Sequence, residues 1–278
     1  MSTPPPFLPL PRMSVATLLR ALFKRPSRRD ALPCTTRYRL AHLDAVQLAR
    51  YREALGFAGP HVPLTYYYLL AQRAHLATML GAAFPFRLAG AIHVDNAMEG
   101  GATPALARPL ALVTEVEVGA PAANGALHAA LVTRATQDGA WVFTCRSTYL
   151  MVRGRPGQGS RTAAPRLPQA PIAAWPLTAA SGRAYAALSG DWNPIHLWPW
   201  SARLAGLDAP IIHGMHTLAR ACAELERASG REMARLDGRF RAPIALGSEA
   251  ALAADLAGGR YTVEAAGRVA VEGGFAFV

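Results

Sequence analysis

The chain has 278 residues, 51% of them hydrophobic, and a net charge of +11. That much apolar residue builds one large domain or two moderate ones and excludes a disordered tail. No apolar run reaches the roughly 18 residues of a membrane-spanning helix, which excludes an integral membrane segment of that kind.

Cys34, Cys145 and Cys222 are scattered without a CxxC pair. This argues against a disulfide scaffold or a zinc ribbon and fits a reducing cytoplasm. A basic balance favours anionic partners such as nucleic acid, anionic lipid or phosphorylated carriers. Every Lys/Arg charge except Lys24 is an arginine, and arginine with abundant alanine also fits a GC-rich coding bias. Charge alone therefore selects no partner. The arginines are dispersed without an aromatic-basic motif, so nucleic-acid binding is not expected.

The first 30 residues form an extension. Residues 1–12 are proline-rich and read as extended. Ser14 to Phe23 reads as a short amphipathic helix, followed by the basic run Lys24, Arg25, Arg28 and Arg29. The basic residues follow the apolar stretch, the reverse of a secretory signal. The segment has no acid before Asp30, which leaves a mitochondrial presequence open beside a surface helix that packs on the domain or touches membrane.

From Thr36 the patterns fall into two series. The first begins with a strand over Thr36–Leu40 and a helix over Ala45–Leu55, where Leu48, Tyr51 and Leu55 share one face. A longer apolar helix, Pro63–Leu80, has its proline in the first turn, where it is tolerated. Strands are predicted over Leu88–Glu99, Ala107–Val118, Leu127–Asp138 and Ala140–Val152, with Asn124-Gly125 and Asp138-Gly139 as hairpin turns. Residues 154–171, rich in Gly, Pro, Arg and Ser, read as a linker.

The second series repeats this order. It has a strand over Trp175–Thr178, a short helix over Gly182–Leu188 and a helical turn over Pro199–Leu204. A long helix over His213–Ala228 follows, then strands over Met233–Phe240, Glu249–Leu256, Arg260–Ala266 and Arg268–Val278. A long helix beside an antiparallel run of strands is an α+β layout. Its recurrence predicts an internal duplication, with boundaries at 31–153 and 172–278.

The chemistry concentrates between the two helices of the second series. Asp191, Asn193 and His196 lie within six residues, and Pro194 biases Asn193 toward extended backbone. Polar side chains on such a fixed loop can converge. An imidazole with a pKa of about 6.5 exchanges protons near neutrality, and a carboxylate can orient it. Downstream, His213-Gly214-Met215 opens an apolar helix, whose first N–H groups lack intrahelical partners and can receive a developing oxyanion. Taken singly, each residue has a plainer reading: a cap, a core histidine or a packing glycine. His196, His213 and His216 could also supply imidazoles to a metal, but no HExxH pattern is present and no metal is expected. GxSxG, GxxxxGK[ST] and strand-linked GxGxxG patterns are absent as well.

In combination, Tyr185-Ala-Ala-Leu-Ser-Gly-Asp191-Trp-Asn193-Pro-Ile-His196 and Ala209-Pro-Ile-Ile-His213-Gly214-Met215-His-Thr217 resemble the hydratase motif of the MaoC-like (R)-specific enoyl-thioester hydratases and dehydratases. The resemblance implies a double hotdog, in which a degenerate first hotdog gives room for the acyl tail and the second carries the motif. It implies that Asp191 and His196 hold and activate one water, that Asn193 orders the water or the loop, and that the Gly214 amide receives the thioester oxygen. Trp192, His213, Met215 and Cys222 are implied substrate contacts. The substrate would be an acyl-CoA or an acyl carrier protein thioester, and no cofactor is implied. Trp198 stands where relatives carry an acidic residue, and Cys222 where some carry a serine. A hotdog thioesterase using Glu224, or a non-catalytic assembly subunit, are the alternatives. One chain can complete a pseudo-dimer, so a monomer and a homodimer both stay open.

Overall fold

The computed structural model describes residues 6–26, 34–155 and 166–278. Arg28 and Arg29 of the basic run, and positions 156–165 of the expected linker, lie outside them. In chain order the elements are β1 (Leu8–Pro9), α1 (Val15–Phe23), β2 (Cys34–Leu40), α2 (Ala45–Leu55), α3 (Tyr67–Leu80), β3 (Ile92–Gly100), β4 (Leu110–Val118), β5 (Leu127–Gln137) and β6 (Ala140–Val152). They continue with β7 (Ala173–Leu177), α4 (Ser181–Ser189), α5 (Pro199–Leu204), α6 (Gly214–Ser229), β8 (Met233–Phe240), β9 (Ser248–Asp255), β10 (Arg260–Ala265) and β11 (Arg268–Phe277). Short 3-10 turns cover Leu64–Tyr66 and Pro194–His196.

The chain divides into two compact units. One comprises Met1–Ala45 and Tyr67–Ser160, the other Val46–Tyr66 and Arg161–Val278. In the first unit the sheet order is β1-β2-β4-β5-β6-β3, antiparallel except for the parallel β1/β2 pair. Helix α3 packs on β4, β5 and β6. The Asp138-Gly139 turn has both residues at positive φ, 52° and 85°, and joins the Gln137↔Ala140 pair. These values suit the two-residue hairpin read from the sequence. Strand β3 starts at Ile92 rather than Leu88. Gly90 at φ 87° and the Ala91 N–H to Leu88 carbonyl bond (3.0 Å) turn the preceding residues out of the sheet.

The second unit has the order β8-β11-β10-β9-β7, antiparallel throughout, with α6 against β8 and β11. Leaving out β1, both units use one plan. The strand before the long helix pairs with the second strand after it, and the first strand after it pairs with the last. Each long helix is rich in buried residues, including Leu69, Ala71 and Ala74 on α3 and Leu218, Ala221 and Leu225 on α6. Both units are therefore built around a helix laid on an antiparallel sheet, which is the hotdog arrangement.

Helix α2 and the 3-10 turn at Leu64–Tyr66 belong to the second unit although they precede α3 in sequence. Tyr51 and Leu55 of α2 are buried, with the Tyr51 ring edge-on to Tyr66. Arg220 and Arg227 of α6 donate to the Leu55 and Gly56 carbonyls, each at 3.0 Å. His61 lies 3.1 Å from Glu226 and 3.5 Å from Glu232. The Glu226 hydrogen bond raises the His61 pKa above its ordinary 6.5, against the opposing effects of burial and Arg52.

That raised value sets a pH dependence. The imidazolium clamp contributes fully below pH 6.5 and is lost as pH rises through the higher folded value. The difference in unfolding temperature between the wild type and His61→Asn is expected to shrink as pH rises through this window. A difference that stays constant with pH would contradict the clamp.

Candidate active site

The site is built in the second unit from the loop after α4 and the start of α6. Helix α4 ends at Gly190, whose φ of 77° is left-handed and whose N–H bonds the Ala186 carbonyl. Only glycine adopts that conformation cheaply, and it turns the chain into the motif. Ser189 Oγ donates to the Tyr185 carbonyl (2.8 Å) and accepts from the Asp191 N–H (3.2 Å). Asp191 Oδ1 accepts from the Asn193 N–H (3.2 Å), and Asn193 Oδ1 accepts from the Ile195 N–H (3.4 Å). The Asn193 side chain thus caps the 3-10 turn Pro194–His196 from an exposed position.

His196 is buried, and its Nδ1 lies 2.9 Å from the Ile211 carbonyl. A carbonyl only accepts, so Nδ1 carries the proton and Nε2 keeps a lone pair. The Ile211 N–H returns a bond to the Ile195 carbonyl (3.2 Å). His213, the residue before α6, places Nε2 2.9 Å from the Asp191 carbonyl, so this ring is protonated on Nε2. The two rings stack with centroids 3.6 Å apart and planes at 27°. Asp191, His196 and His213 each offer one ligand atom within 4.8 Å of the others. A cation held by these groups would have to use the single lone pair left on each ring. The same three groups without a metal form an acid/base cluster.

Burial lowers the His196 pKa from 6.5, and Asp191 and the Ile211 carbonyl oppose this only in part. His213 falls to about 4 through burial and the neighbouring His196. His216 falls to about 3 through burial, His213 and Arg220. Burial thus favours the neutral form of all three imidazoles, two of which lie beside the partly buried Asp191.

Gly214 begins α6, and its N–H is one of the donors without an intrahelical acceptor. A Cβ there would come within 2.7 Å of the Phe240 ring. Met215 is buried behind it, and Trp192 is 42% exposed on the loop. Cys222 lies two turns into α6 and is fully buried, and burial together with the Glu226 charge raises its thiol pKa. The structure thus groups Asp191, His196 and His213 closely, places Gly214 directly after His213, and puts Cys222 deeper in the helix. Glu224 pairs with Arg220 (2.8 Å) and with Arg227, which engages its carboxylate within α6.

Two features escaped the sequence reading. Tyr185 packs its ring 5.0 Å from His213 and 5.5 Å from His216. It lies in the motif, but nothing in its spacing reveals these contacts. Gly182 lets α4 approach the 3-10 turn, since a Cβ there would sit 2.2 Å from the His196 carbonyl oxygen.

Comparison with known proteins points one way. Residues 162–272 match the MaoC like domain. Over 223 residues the chain is 34% identical to 3-hydroxyacyl-thioester dehydratase X of Mycobacterium tuberculosis, with 76% of each protein covered. The crystal structure of HtdX from M. tuberculosis aligns with a TM-score of 0.72 and 26% identity, over 88% of this chain and 100% of that one. Another M. tuberculosis structure, described as a double hotdog fold, aligns with a TM-score of 0.57 and 16% identity over 90% of this chain and 97% of that one. The chain is thus an α+β double hotdog.

The Gly182 contact gives a stability test. Gly182→Ala must push the backbone of the 3-10 turn away, at a cost of about 1–3 kcal/mol. Urea unfolding would measure it, and wild-type stability in the variant would show that the close approach is not required.

Proposed function

Since the chain belongs to the MaoC-like dehydratase family and is a hydro-lyase of 3-hydroxyacyl thioesters, we propose that Asp191 and His196 are its acid/base pair. The observation that carries this reading is the His196 tautomer. Nδ1 is committed to the Ile211 carbonyl, so Nε2 holds a lone pair beside Asp191. In hydration the pair holds one water. Its oxygen bonds to C3 of the 2-enoyl thioester and one of its protons ends on C2. Dehydration reverses these bonds and releases water. The charge that builds on the thioester oxygen is received by the Gly214 N–H at the positive end of α6. Asn193 serves through the loop it caps, and His213 orients both members of the pair. Trp192, Met215 and Cys222 are proposed as contacts of the acyl group.

The stereochemistry we assign is (R) at C3, on the footing of the motif. The second unit, within which the family match falls, carries the chemistry, and the first hotdog is degenerate. By sequence the two hotdogs are proposed to span 31–153 and 172–278, although Val46–Tyr66 of the first span pack with the second unit. The reading takes CoA or an acyl carrier protein as the thioester carrier, the cytoplasm as the compartment, and a monomer or a homodimer as the assembly. Among the described residues no helix is long and apolar enough to cross a membrane.

The test follows the conjugated 2-enoyl thioester by ultraviolet absorbance, using crotonyl-CoA and longer homologues. The wild type is expected to remove the signal. Asp191→Asn and His196→Ala are each expected to lower kcat by about 10²–10⁴-fold. Full activity in either variant would sink the assignment, and free thiol release would point to a thioesterase.

Two further outcomes are expected. His196 acts as the neutral base and burial holds its pKa down, so the acid limb of kcat/KM should fall below pH 6.5. A limb above 6.5 would contradict that role. Turnover should also survive extensive dialysis against EDTA. Loss that is restored by a divalent metal would instead assign Asp191, His196 and His213 as ligands.

A further inference from the structure

Helix α1 has an apolar face beyond the one that holds it to its unit. It packs against α3, with Leu18 and Ala21 half-buried. At its end Lys24 donates to the Phe84 carbonyl and lies over the Phe84 ring. Ser14 caps its start, accepting from the Thr17 N–H at 3.1 Å. Both ends are thus fixed by ordinary contacts. Leu19, Leu22 and Phe23 lie at i, i+3 and i+4, so they share a face. They are 50%, 52% and 78% exposed. Three large apolar side chains grouped on a helix whose inner side is already packed serve no folding purpose, and such groups mark contact surfaces.

The charges around this face select the partner. Arg20 and Arg25 are exposed beside it, and Arg12 is exposed just before the helix. No acidic residue occurs before Asp30, and the whole chain carries +11. A second copy of the chain would bring the same positive charges against these. An anionic phospholipid surface offers phosphates to the arginines and an apolar layer to the leucines and phenylalanine. A nine-residue helix is too short to span that layer but long enough to lie in its boundary. We propose that α1 docks the protein on anionic phospholipid membranes, with Leu19, Leu22 and Phe23 entering the headgroup boundary and Arg20 and Arg25 contacting lipid phosphates.

The experiment is co-sedimentation of the full chain with phosphatidylcholine vesicles, with and without phosphatidylglycerol. The wild type is expected to sediment with the anionic vesicles only, and to be released by high salt. The variant Leu19→Ser/Leu22→Ser/Phe23→Ser should stay in the supernatant. Arg20→Gln/Arg25→Gln keeps the apolar face and guards against misfolding of the first variant. It should partition roughly 10- to 30-fold more weakly. Wild type that ignores anionic vesicles would overturn the proposal, as would equal sedimentation of the triple-serine variant or equal binding to phosphatidylcholine alone. A wild-type dimer that becomes monomeric in the triple-serine variant, with no vesicle binding, would assign the face to a second copy instead.

Discussion

Two backbone carbonyls govern this site. The Ile211 carbonyl accepts a hydrogen bond from His196 Nδ1–H, and the main-chain carbonyl of Asp191 accepts one from His213 Nε2–H. Each bond fixes a tautomer, and together they hold two imidazoles face to face at 3.6 Å. Two charged rings could not share that spacing in a buried place. Burial lowers the pKa of both, and the neighbouring His196 lowers His213 further, to about 4. For the proposed chemistry, the arrangement presents an unprotonated Nε2 near neutral pH. Carbonyl acceptors do this without adding a second negative charge beside Asp191.

The rest of the second unit keeps those carbonyls in place. Ile211 is bridged to Ala245, and the Ile212 N–H bonds the Ile244 carbonyl at 2.9 Å, so the segment entering α6 is tied down on both sides. Asp191 is aimed by the glycine that ends α4 and by the Ser189 hydroxyl. Gly182 brings α4 against the 3-10 turn, and Gly214 brings α6 against Phe240. Each glycine stands where a side chain would separate two parts of the site. Helix α2 adds its buried Tyr51 and Leu55 to the same unit, and α6 is clamped to this region through Arg220, Arg227 and Glu226.

Much of this was legible in the sequence because it is local. The Asp-Gly turn at 138–139, the amphipathic spacing of Leu48, Tyr51 and Leu55, and the glycine at the head of α6 are written within a few residues. The motif placed Asp191, His196 and Gly214 by the same logic, since Pro194 stiffens the loop between the first two. The stacking of His213 on His196, the Ile211 acceptor and the Gly182 approach were not legible. They join residues 14 to 17 positions apart through tertiary packing, which leaves no periodic trace. Asn193 shows the difference well. The resemblance implied that it orders the water or the loop, and its side-chain oxygen is engaged in capping the turn. The membership of α2 in the second unit was hidden for the same reason, because helical spacing reports which face is buried and not what covers it.

The proposed chemistry turns on the protonation of one ring, and nitrogen-detected NMR of ¹⁵N-imidazole-labelled protein reads it directly. His196 is expected to show a protonated Nδ1 and an unprotonated Nε2 at neutral pH, with a titration midpoint below 6.5. A proton on Nε2, or a midpoint above 6.5, would contradict it.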